Sequence, residues 1–438
     1  MNSRIALFMA VVLLLIVSVW LGFSFYTAQT KKELSKKWDE EFNSFEDFEK
    51  RFPKHRENHA ALELEKLAAS VGIDLTPKDI KNRVRPDKKK KEAFKKIKDE
   101  MQKVLYSRLS HENSDVIVLS DGLKDFLQEN ESKLNEIVEV ATREPKPLWA
   151  VDISKHVKAP IPNLLGQIQM QRFLNLKASL LIGESRFTEA ENVLEASWNI
   201  NNHLLSRPEL LSYLIGIVVI KFQAGNLRQI PLSNNVWHTR INDPEIGMHL
   251  WVTQQGEVLM MLKAAEQGET LQQNDKRRSP YELIVSPYVH VMTLNFADRM
   301  YSYLCDLKKR DGCSPKKLLK DNEVKSLFPS WNIIGPVMFV DPAGPWNRVM
   351  LLNHDLELTS KIIEIKTGLD LNSHSFGTEY TLPSMVCPGE KWNYEKVSDG
   401  FKLTFSKRID WSVVDLQENA LILPDSYSSE IKSNPETQ

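Results

Sequence analysis

The sequence predicts a mainly α protein with a single N-terminal transmembrane helix, a body of helical bundles or helix hairpins, and a small C-terminal β-hairpin element. Three observations favour this fold class. Residues 5–25 carry no charged side chain. Most of the chain that follows repeats apolar residues at helical spacing. Residues 392–405 instead alternate apolar and polar side chains, which is typical of strands.

The uncharged N-terminal run is long enough for a membrane anchor, because a helix needs about 20 apolar residues to cross the hydrocarbon layer. A secretory signal would also require small residues at positions −3 and −1 of its cleavage site. Cleavage after Ala28 would place Tyr26 at −3, and cleavage after Gly22 would place Trp20 there. The sequence therefore favours an uncleaved anchor over a removed signal peptide.

The charges beside this run give two opposing indications of orientation. Lys31, Lys32, Lys36 and Lys37 outnumber Arg4 and the terminal amine, and an excess of positive charge favours the cytoplasmic side. The short N-terminal tail is typical of a signal-anchor that exports the rest of the chain. We expect a single-pass membrane protein with a periplasmic body, and a cytoplasmic body is the alternative.

The composition allows a large core and argues against nucleic acid as a partner. The chain has 438 residues, 42% of them apolar, and a formal net charge of −1, whereas phosphate binding needs a basic surface. One basic stretch, Lys81–Arg108, is interpreted as the solvated face of an amphipathic helix. Contact with anionic lipid or an acidic partner is the alternative. The inward face of that helix is formed by Phe94, Ile97, Met101, Val104 and Leu105.

A proline-rich passage between residues 145 and 162 is the best candidate for a domain boundary. It separates a first helical bundle, which contains the basic helix, from a central α-helical domain. The predicted units are a transmembrane anchor (1–30), an N-terminal bundle (31–145), a central domain (160–370), a C-terminal β-hairpin region (371–425) and a tail (426–438).

Within the first bundle, a stripe of aromatic residues predicts a helix that ends before Pro53. The stripe consists of Trp38, Phe42, Phe45, Phe48 and Phe52. Further helices are predicted from Ala60 to Ala68 and, as one element, from Leu123 to Val138.

The central domain is predicted to contain three closely spaced helices, at 164–181, 187–205 and 209–227. Ser206 and Glu209 have the spacing of a capping box, with Pro208 between them, so a helix start is predicted at Ser206. The apolar run Leu210–Ile220 is too short for a second membrane span and is predicted to be a buried helix.

Near the C-terminus, two alternating segments predict a β-hairpin. A Val-Ser-Asp-Gly turn, in which Asp399-Gly400 supplies the turn chemistry, joins a first segment with Trp392 and Tyr394 to a second with Phe401, Leu403 and Phe405. A third strand is expected around Ala420–Leu423, because an isolated hairpin is only marginally stable. The polar tail is expected to be frayed.

The three cysteines form no CxxC pair, so neither a dithiol redox motif nor a zinc-ribbon spacing is present. Cys305 and Cys313 could close a small disulfide loop in an oxidising compartment. Buried free thiols are the alternative, and the state of Cys387 is left open.

His55 and His59 have a spacing that would put two imidazoles on one helix face. Two ligands do not complete a metal site, and Glu57 is not at the position of an HExxH glutamate. Surface or helix-start histidines are therefore favoured, and metal binding is the alternative. No catalytic residue, metal ligand or cofactor is predicted, since the common nucleotide, dinucleotide and hydrolase motifs do not occur.

Two resemblances are visible in the residues. The segment Arg186–Ala190, with Leu194 and Ala196, resembles the second helix of a tetratricopeptide unit, which implies a helical hairpin. Over most of its length, the chain resembles a group of uncharacterised bacterial signal-anchored helical proteins, which implies an envelope setting and no site residues. That resemblance is carried by Glu57–Ala61, Pro162–Leu165 and Trp392–Phe405, and departs from the group pattern at Asp341–Gly344.

Together these patterns favour a membrane-tethered helical module that binds a protein partner or acts as a scaffold in the bacterial envelope. The alternative is an envelope enzyme, for example a hydrolase, whose site is assembled only in the fold. A non-enzymatic role is favoured. The activity, the partner or substrate, and the oligomeric state are left open.

Overall fold

A computed structural model of the chain describes residues 3–41, 45–77, 80, 82–110, 119–231, 236–243, 245–266, 280–310, 312–367, 379–397, 400–407, 409 and 426–430. These residues are mostly helical, and a small antiparallel sheet lies near the C-terminus, which confirms the predicted fold class. The first helices are α1 (Ser3–Glu41), α2 (Phe45–Arg51), α3 (His59–Ser70), α4 (Lys88–Ser110), α5 (Asp121–Glu129) and α6 (Glu131–Thr142), followed by a 3₁₀ turn at Ile153–Lys158.

The remaining elements form the second half of the body and the sheet. The helices are α7 (Leu164–Gly183), α8 (Phe187–Leu205), α9 (Leu210–Leu227), α10 (Val236–Ile241), α11 (Glu245–Glu266), α12 (Pro280–Lys308), α13 (Asp321–Ser326), α14 (Gly335–Met338) and α15 (Ala343–Thr367). The strands are β1 (Glu379–Pro383), β2 (Lys391–Val397), β3 (Gly400–Phe405) and β4 (Ser426–Glu430).

Helix α1 carries the predicted anchor and continues beyond it into the body. Its segment Leu7–Glu33 is long and apolar enough to span a membrane, a property that signal sequences share. None of the most apolar part of this segment is buried in protein. Further along, α1 packs on α12. The Phe23 and Tyr288 rings meet edge-on at 5.6 Å, and the Lys37 ammonium lies 2.7 Å from the Asp298 carboxylate. Since both contacts advance in the same direction, α1 and α12 run parallel.

The aromatic stripe after the anchor is described only in part. Phe48 and Phe52 are buried, and their ring centroids lie 5.0 Å apart. They belong to the hydrophobic cluster that α11 and α12 also enter. The side chains of Trp38, Phe42 and Phe45 lie outside the described residues.

The basic helix α4 faces the core with its apolar side. Phe94, Met101 and Leu105 are buried, whereas residues 88–91 are exposed lysines. This burial confirms an amphipathic helix whose lysines lie on the exposed side, and the choice between solvent and an anionic partner on that side stays a prediction. Leu123 to Val138, in contrast, is not one helix. The Asn130 backbone N–H and side-chain amide both donate to the Phe126 carbonyl, at 3.2 and 2.8 Å, and this contact ends α5 before α6 begins.

The three central helices form antiparallel hairpins at the predicted positions, and α9 is a buried helix as expected. Between them lies a network of buried amides and hydroxyls. Ser197 Oγ donates to Gln171 Oε1 at 2.6 Å and accepts from Gln223 Nε2 at 2.8 Å. Asn226 Nδ2 donates to the Asn175 carbonyl at 3.1 Å. Because each bond joins two helices, the network fixes how α7, α8 and α9 pack.

The helix start predicted at Ser206 is wrong. Ser206 caps the end of α8, where its hydroxyl donates to the His203 carbonyl at 3.1 Å, and α9 begins at Leu210. The capping box does not form because the Glu209 carboxylate accepts two bonds from Arg207, each at 2.8 Å. A charged donor outcompetes a backbone N–H for that carboxylate.

Arg207 also attaches the proline-rich passage to the helices. Its guanidinium donates to the carbonyls of Ala150 and Pro160, at 3.0 and 2.7 Å, although the side chain is fully buried. Apolar residues before and after this passage belong to one hydrophobic cluster, built mainly from α3 to α9 and from α15. The division of the chain into domains at residues 145 and 160 stays a prediction.

The sheet has the strand order β1-β2-β3-β4, with antiparallel neighbours throughout. The predicted hairpin is confirmed, with Trp392 opposite Phe405 and Val397 opposite Gly400. The strand expected at 420–423 lies outside the described residues. The expectation of a frayed tail is wrong for residues 426–430, because β4 pairs with the edge of β3. Backbone bonds hold this polar strand, so its composition gave no indication of it.

Candidate functional site

Where the helical body meets the sheet, three chemically active side chains converge. Cys313 lies in the connection between α12 and α13, His354 lies in α15, and Cys387 lies in the loop between β1 and β2. All three are buried, and their sulfur and nitrogen atoms lie within 4.8 Å of one another. We refer to these three residues as the Cys–His cluster.

The two cysteines of the cluster form a disulfide, with their Cα atoms 5.4 Å apart. His354 Nε2 lies 3.2 Å from Cys387 Sγ and 3.3 Å from the Gly312 carbonyl. A carbonyl can only accept, so Nε2 is the protonated nitrogen in this arrangement. Burial lowers the pKa of His354, while Glu357 and the Gly312 carbonyl oppose this shift. The imidazole is therefore neutral at neutral pH.

Glu357, one turn after His354 on α15, holds the loop that carries Cys387. Its buried carboxylate accepts from Ser384 Oγ at 2.7 Å, from Trp392 Nε1 at 3.1 Å and from the backbone N–H of Met385. Several donors on one carboxylate form charge-assisted bonds, which are stronger than neutral ones. The loop thus has a fixed position against α15, independently of the disulfide.

The loop also closes on itself and approaches the chain beside Cys313. The Cys387 N–H donates to Ser384 Oγ at 2.9 Å, and the Ser384 N–H donates to the Glu390 carbonyl at the same distance. A Cβ added at Gly312 would lie 2.7 Å from the Val386 carbonyl oxygen. Glycine at 312 therefore permits the close approach that brings the two sulfurs together.

Chemically, the cluster is a covalent tie between the body and the sheet. It closes a separation of 74 residues, and cross-links across long separations restrict the unfolded chain most. Two thiolates and an imidazole are also ligand types that zinc and other thiophilic ions prefer. Cys313, His354 and Cys387 could hold such an ion only with the disulfide reduced, because the bond between the sulfurs removes both thiolates.

The sequence-based alternatives for the cysteines need correction. Cys313 pairs with Cys387, and neither the loop disulfide with Cys305 nor a free thiol at Cys313 is found. Cys305, which is half-buried in α12, is not part of this disulfide. The helix continues past Cys305 to Lys308, and Cys313 lies in the connection that follows.

The two histidines considered as metal ligands do not share a helix face. His55 precedes α3, and its ring nitrogens lie 2.9 Å from the Pro53 carbonyl and 3.0 Å from the Trp149 carbonyl. His59 starts α3, with an exposed side chain whose Nδ1 lies 3.5 Å from Glu63. Two residues four positions apart share a helix face only if both lie in the helix. Because α3 begins at His59, His55 lies outside it and the two imidazoles are not brought together.

Sequence reasoning missed His354 and the pairing of Cys387. The three members of the Cys–His cluster are spread over the last third of the chain, in three different elements, and no local spacing connects them. The alternating pattern of β2 and β3 did indicate where such a site could form, since it predicted strands that must pack on a helix.

No protein-family model, curated protein or solved structure matches this chain.

Proposed function

We propose that this protein is a membrane-tethered helical scaffold or interaction module of the bacterial envelope, with its body on the periplasmic side. The observation that carries this proposal is the continuity of α1. The helix begins in the apolar run, continues to Glu41 and packs on α12 through Phe23 and Lys37.

The contacts of α1 favour an anchor that is retained. Phe23 lies before the conceivable cleavage position at Ala28, and its ring packs on Tyr288 in the body. Removal of a signal peptide there would take away a packing partner of α12. A helix whose apolar part is exposed and whose continuation is built into the body is what a single-pass tether requires.

The disulfide supports the proposed orientation. Disulfides form and persist in oxidising compartments such as the periplasm and are rare in the bacterial cytosol. The Cys313–Cys387 bond lies inside the structure, held by Glu357 and the loop contacts. This consideration outweighs the lysines after the anchor, which alone would favour a cytoplasmic body.

The helix hairpins of the body support a role in binding proteins. Glu184–Arg186 joins α7 to α8 in three residues, and Ala190 and Ala196 are fully buried where the helices approach closely. This packing is consistent with the tetratricopeptide-like style, and stacked helix hairpins commonly bind peptides or proteins. We infer a protein partner from this architecture.

The tether and the orientation are tested together by thiol counting in membranes. Cells are acid-quenched, membranes are extracted with alkaline carbonate, and the denatured protein is labelled with a maleimide polymer before and after reduction. We expect full-length protein in the membrane pellet. One cysteine, Cys305, should be labelled before reduction and all three afterwards.

A Cys387→Ala variant is the matched control, because Cys313 then becomes reactive without reduction. Labelling of all three cysteines in the unreduced native protein would contradict the periplasmic orientation. A shortened or carbonate-soluble protein would contradict the tether. The partner is sought by cross-linking in intact membranes followed by affinity purification, and recovery of the chain without a cross-linked protein would contradict the interaction role.

A further inference from the structure

A short turn beside α12 lies on the side of the body that faces the apolar part of α1. Tyr288 connects the two. Its ring packs edge-on against Phe23 at 5.6 Å, and its hydroxyl donates to the Trp331 carbonyl. The chain at Trp331 is therefore separated from α1 by one side chain, at the level where the uncharged run 5–25 ends.

The direction of α12 determines which of its ends is closer to the apolar run. Because α12 runs parallel to α1, lower residue numbers in α12 correspond to lower residue numbers in α1. The helix starts at Pro280, about 12 Å before Tyr288 at 1.5 Å per residue. The N-terminal end of α12 therefore extends from Tyr288 towards the apolar end of α1.

The turn is fixed by a buried amide. Asn332 donates to the Met292 carbonyl at 3.0 Å and to Asn295 Oδ1 at 2.8 Å, and it accepts from the Gly335 N–H at 2.8 Å. The next residue, Ile333, is 67% exposed. The contacts of Asn332 thus hold an apolar side chain outward, close to the level of the anchor's end.

We propose that the turn 331–333 contacts the headgroup layer of the same bilayer that α1 crosses. This inference rests on the proposed tether. The occupant is a lipid surface because the patch is continuous with α1, whose exposed Trp20 and Tyr26 are of the type enriched at membrane interfaces. A second contact beside the anchor restricts the tilt of the body on the membrane.

The rest of this segment provides a control position. After Ile333 the chain follows α12 away from Tyr288, and the Phe339 ring meets Tyr303 edge-on at 6.0 Å. From Tyr288 to Tyr303 the α12 axis covers about 22 Å. Val340, which is 69% exposed, is therefore as accessible as Ile333 but lies on the side distant from the membrane.

The test uses the full-length chain in lipid nanodiscs, with the disulfide intact and with Cys305→Ala so that labels attach only at the introduced cysteines. Spin labels are attached singly to Ile333→Cys, Val340→Cys and Leu14→Cys. Their collision rates with oxygen, which is enriched in lipid, and with a water-soluble nickel chelate are measured. All three positions are exposed, so the labels leave the core unchanged.

We expect the oxygen-to-nickel ratio to be highest at Leu14, intermediate at Ile333 and lowest at Val340. Equal ratios at Ile333 and Val340, with a high ratio at Leu14, would overturn the second contact and leave the tether in place. A water-like ratio at Leu14 would overturn the tether itself.

Discussion

Within the described part of the chain, two helices are long and apolar enough to cross a membrane, but they occupy opposite environments. None of the apolar window of α1 is buried in protein, whereas 72% of α9 is buried. Apolar content alone therefore does not distinguish them. The difference lies in their polar residues and in what those residues bind.

Helix α9 carries polar side chains that bind neighbouring helices. The Tyr213 hydroxyl donates to the Ile246 carbonyl at 2.6 Å, and Gln223 and Asn226 bond to α8 and α7. In α1, the Thr27 hydroxyl instead donates to the Phe23 carbonyl of its own helix at 2.7 Å. A hydroxyl that bonds within its own helix is compatible with lipid, while polar side chains that bond to other helices require a protein environment.

The ion pairs beside the two helices show the same contrast. At the end of α9, Arg228 donates to the Asp355 carboxylate on α15, and both side chains are 2% exposed. At α1, Lys37 and Asp298 pair with 51% and 32% of their side chains exposed. A buried charge depends on its partner because water cannot replace it.

The largest expected effect follows from removing one partner of the buried pair. Asp355→Ala leaves the Arg228 guanidinium uncompensated in the core and should lower the free energy of unfolding by about 3–5 kcal/mol. Asp298→Ala, the matched change in the exposed pair, should cost only about 0–1 kcal/mol. Urea unfolding of the solubilised full-length protein measures both. Equal losses of unfolding free energy would show that burial does not determine how much each ion pair contributes to stability.

A second prediction places the same substitution in both apolar helices. Leu14→Arg introduces a charge into the exposed run of α1, where insertion into the bilayer should become less favourable by about 2.5–3.5 kcal/mol. Carbonate extraction should show less protein in the membrane pellet, while the body unfolds as before.

Leu211→Arg is the control in α9. Leu211 is 56% exposed although its helix is buried, so the long side chain can reach water. We expect unchanged membrane retention and a change in unfolding free energy within about 0.5 kcal/mol. Loss of membrane retention in this variant would mean that α9 also contacts lipid.

The sequence predicted elements whose cause is local and failed where the cause is a distant contact. The apolar run of α1, the spacing in α4 and the alternation in β2 and β3 are each contained in one segment, and the helices and strands predicted from them were confirmed. The failure at Ser206 depended on Arg207, whose own position is fixed by carbonyls more than forty residues away. The Cys–His cluster was missed for the same reason, since it exists only after α15 has packed on the sheet.

The third prediction, with the smallest expected effect, concerns stability at acid pH. The body buries histidines, whereas the apolar run of α1 contains none. His203 Nε2 accepts from the Trp149 N–H at 3.3 Å and lies 3.2 Å from Arg207 Nη1. Burial, the Arg207 cation and His55 hold the pKa of His203 well below its ordinary value of 6.5. Protonation would remove the acceptor and add a charge beside a buried guanidinium.

The direction in which stability changes with pH depends on whether the folded or the unfolded chain binds the proton. Above about pH 6.5, His203 is neutral in both states and its contribution is complete. Below that pH only the unfolded chain takes up the proton, so stability falls by up to about 1.4 kcal/mol per pH unit until the folded pKa is reached. His203→Gln should unfold more easily at pH 7.5 but lose less stability between pH 7 and pH 5. A pH slope equal to that of the parent protein in His203→Gln would show that this imidazole is not the group that titrates.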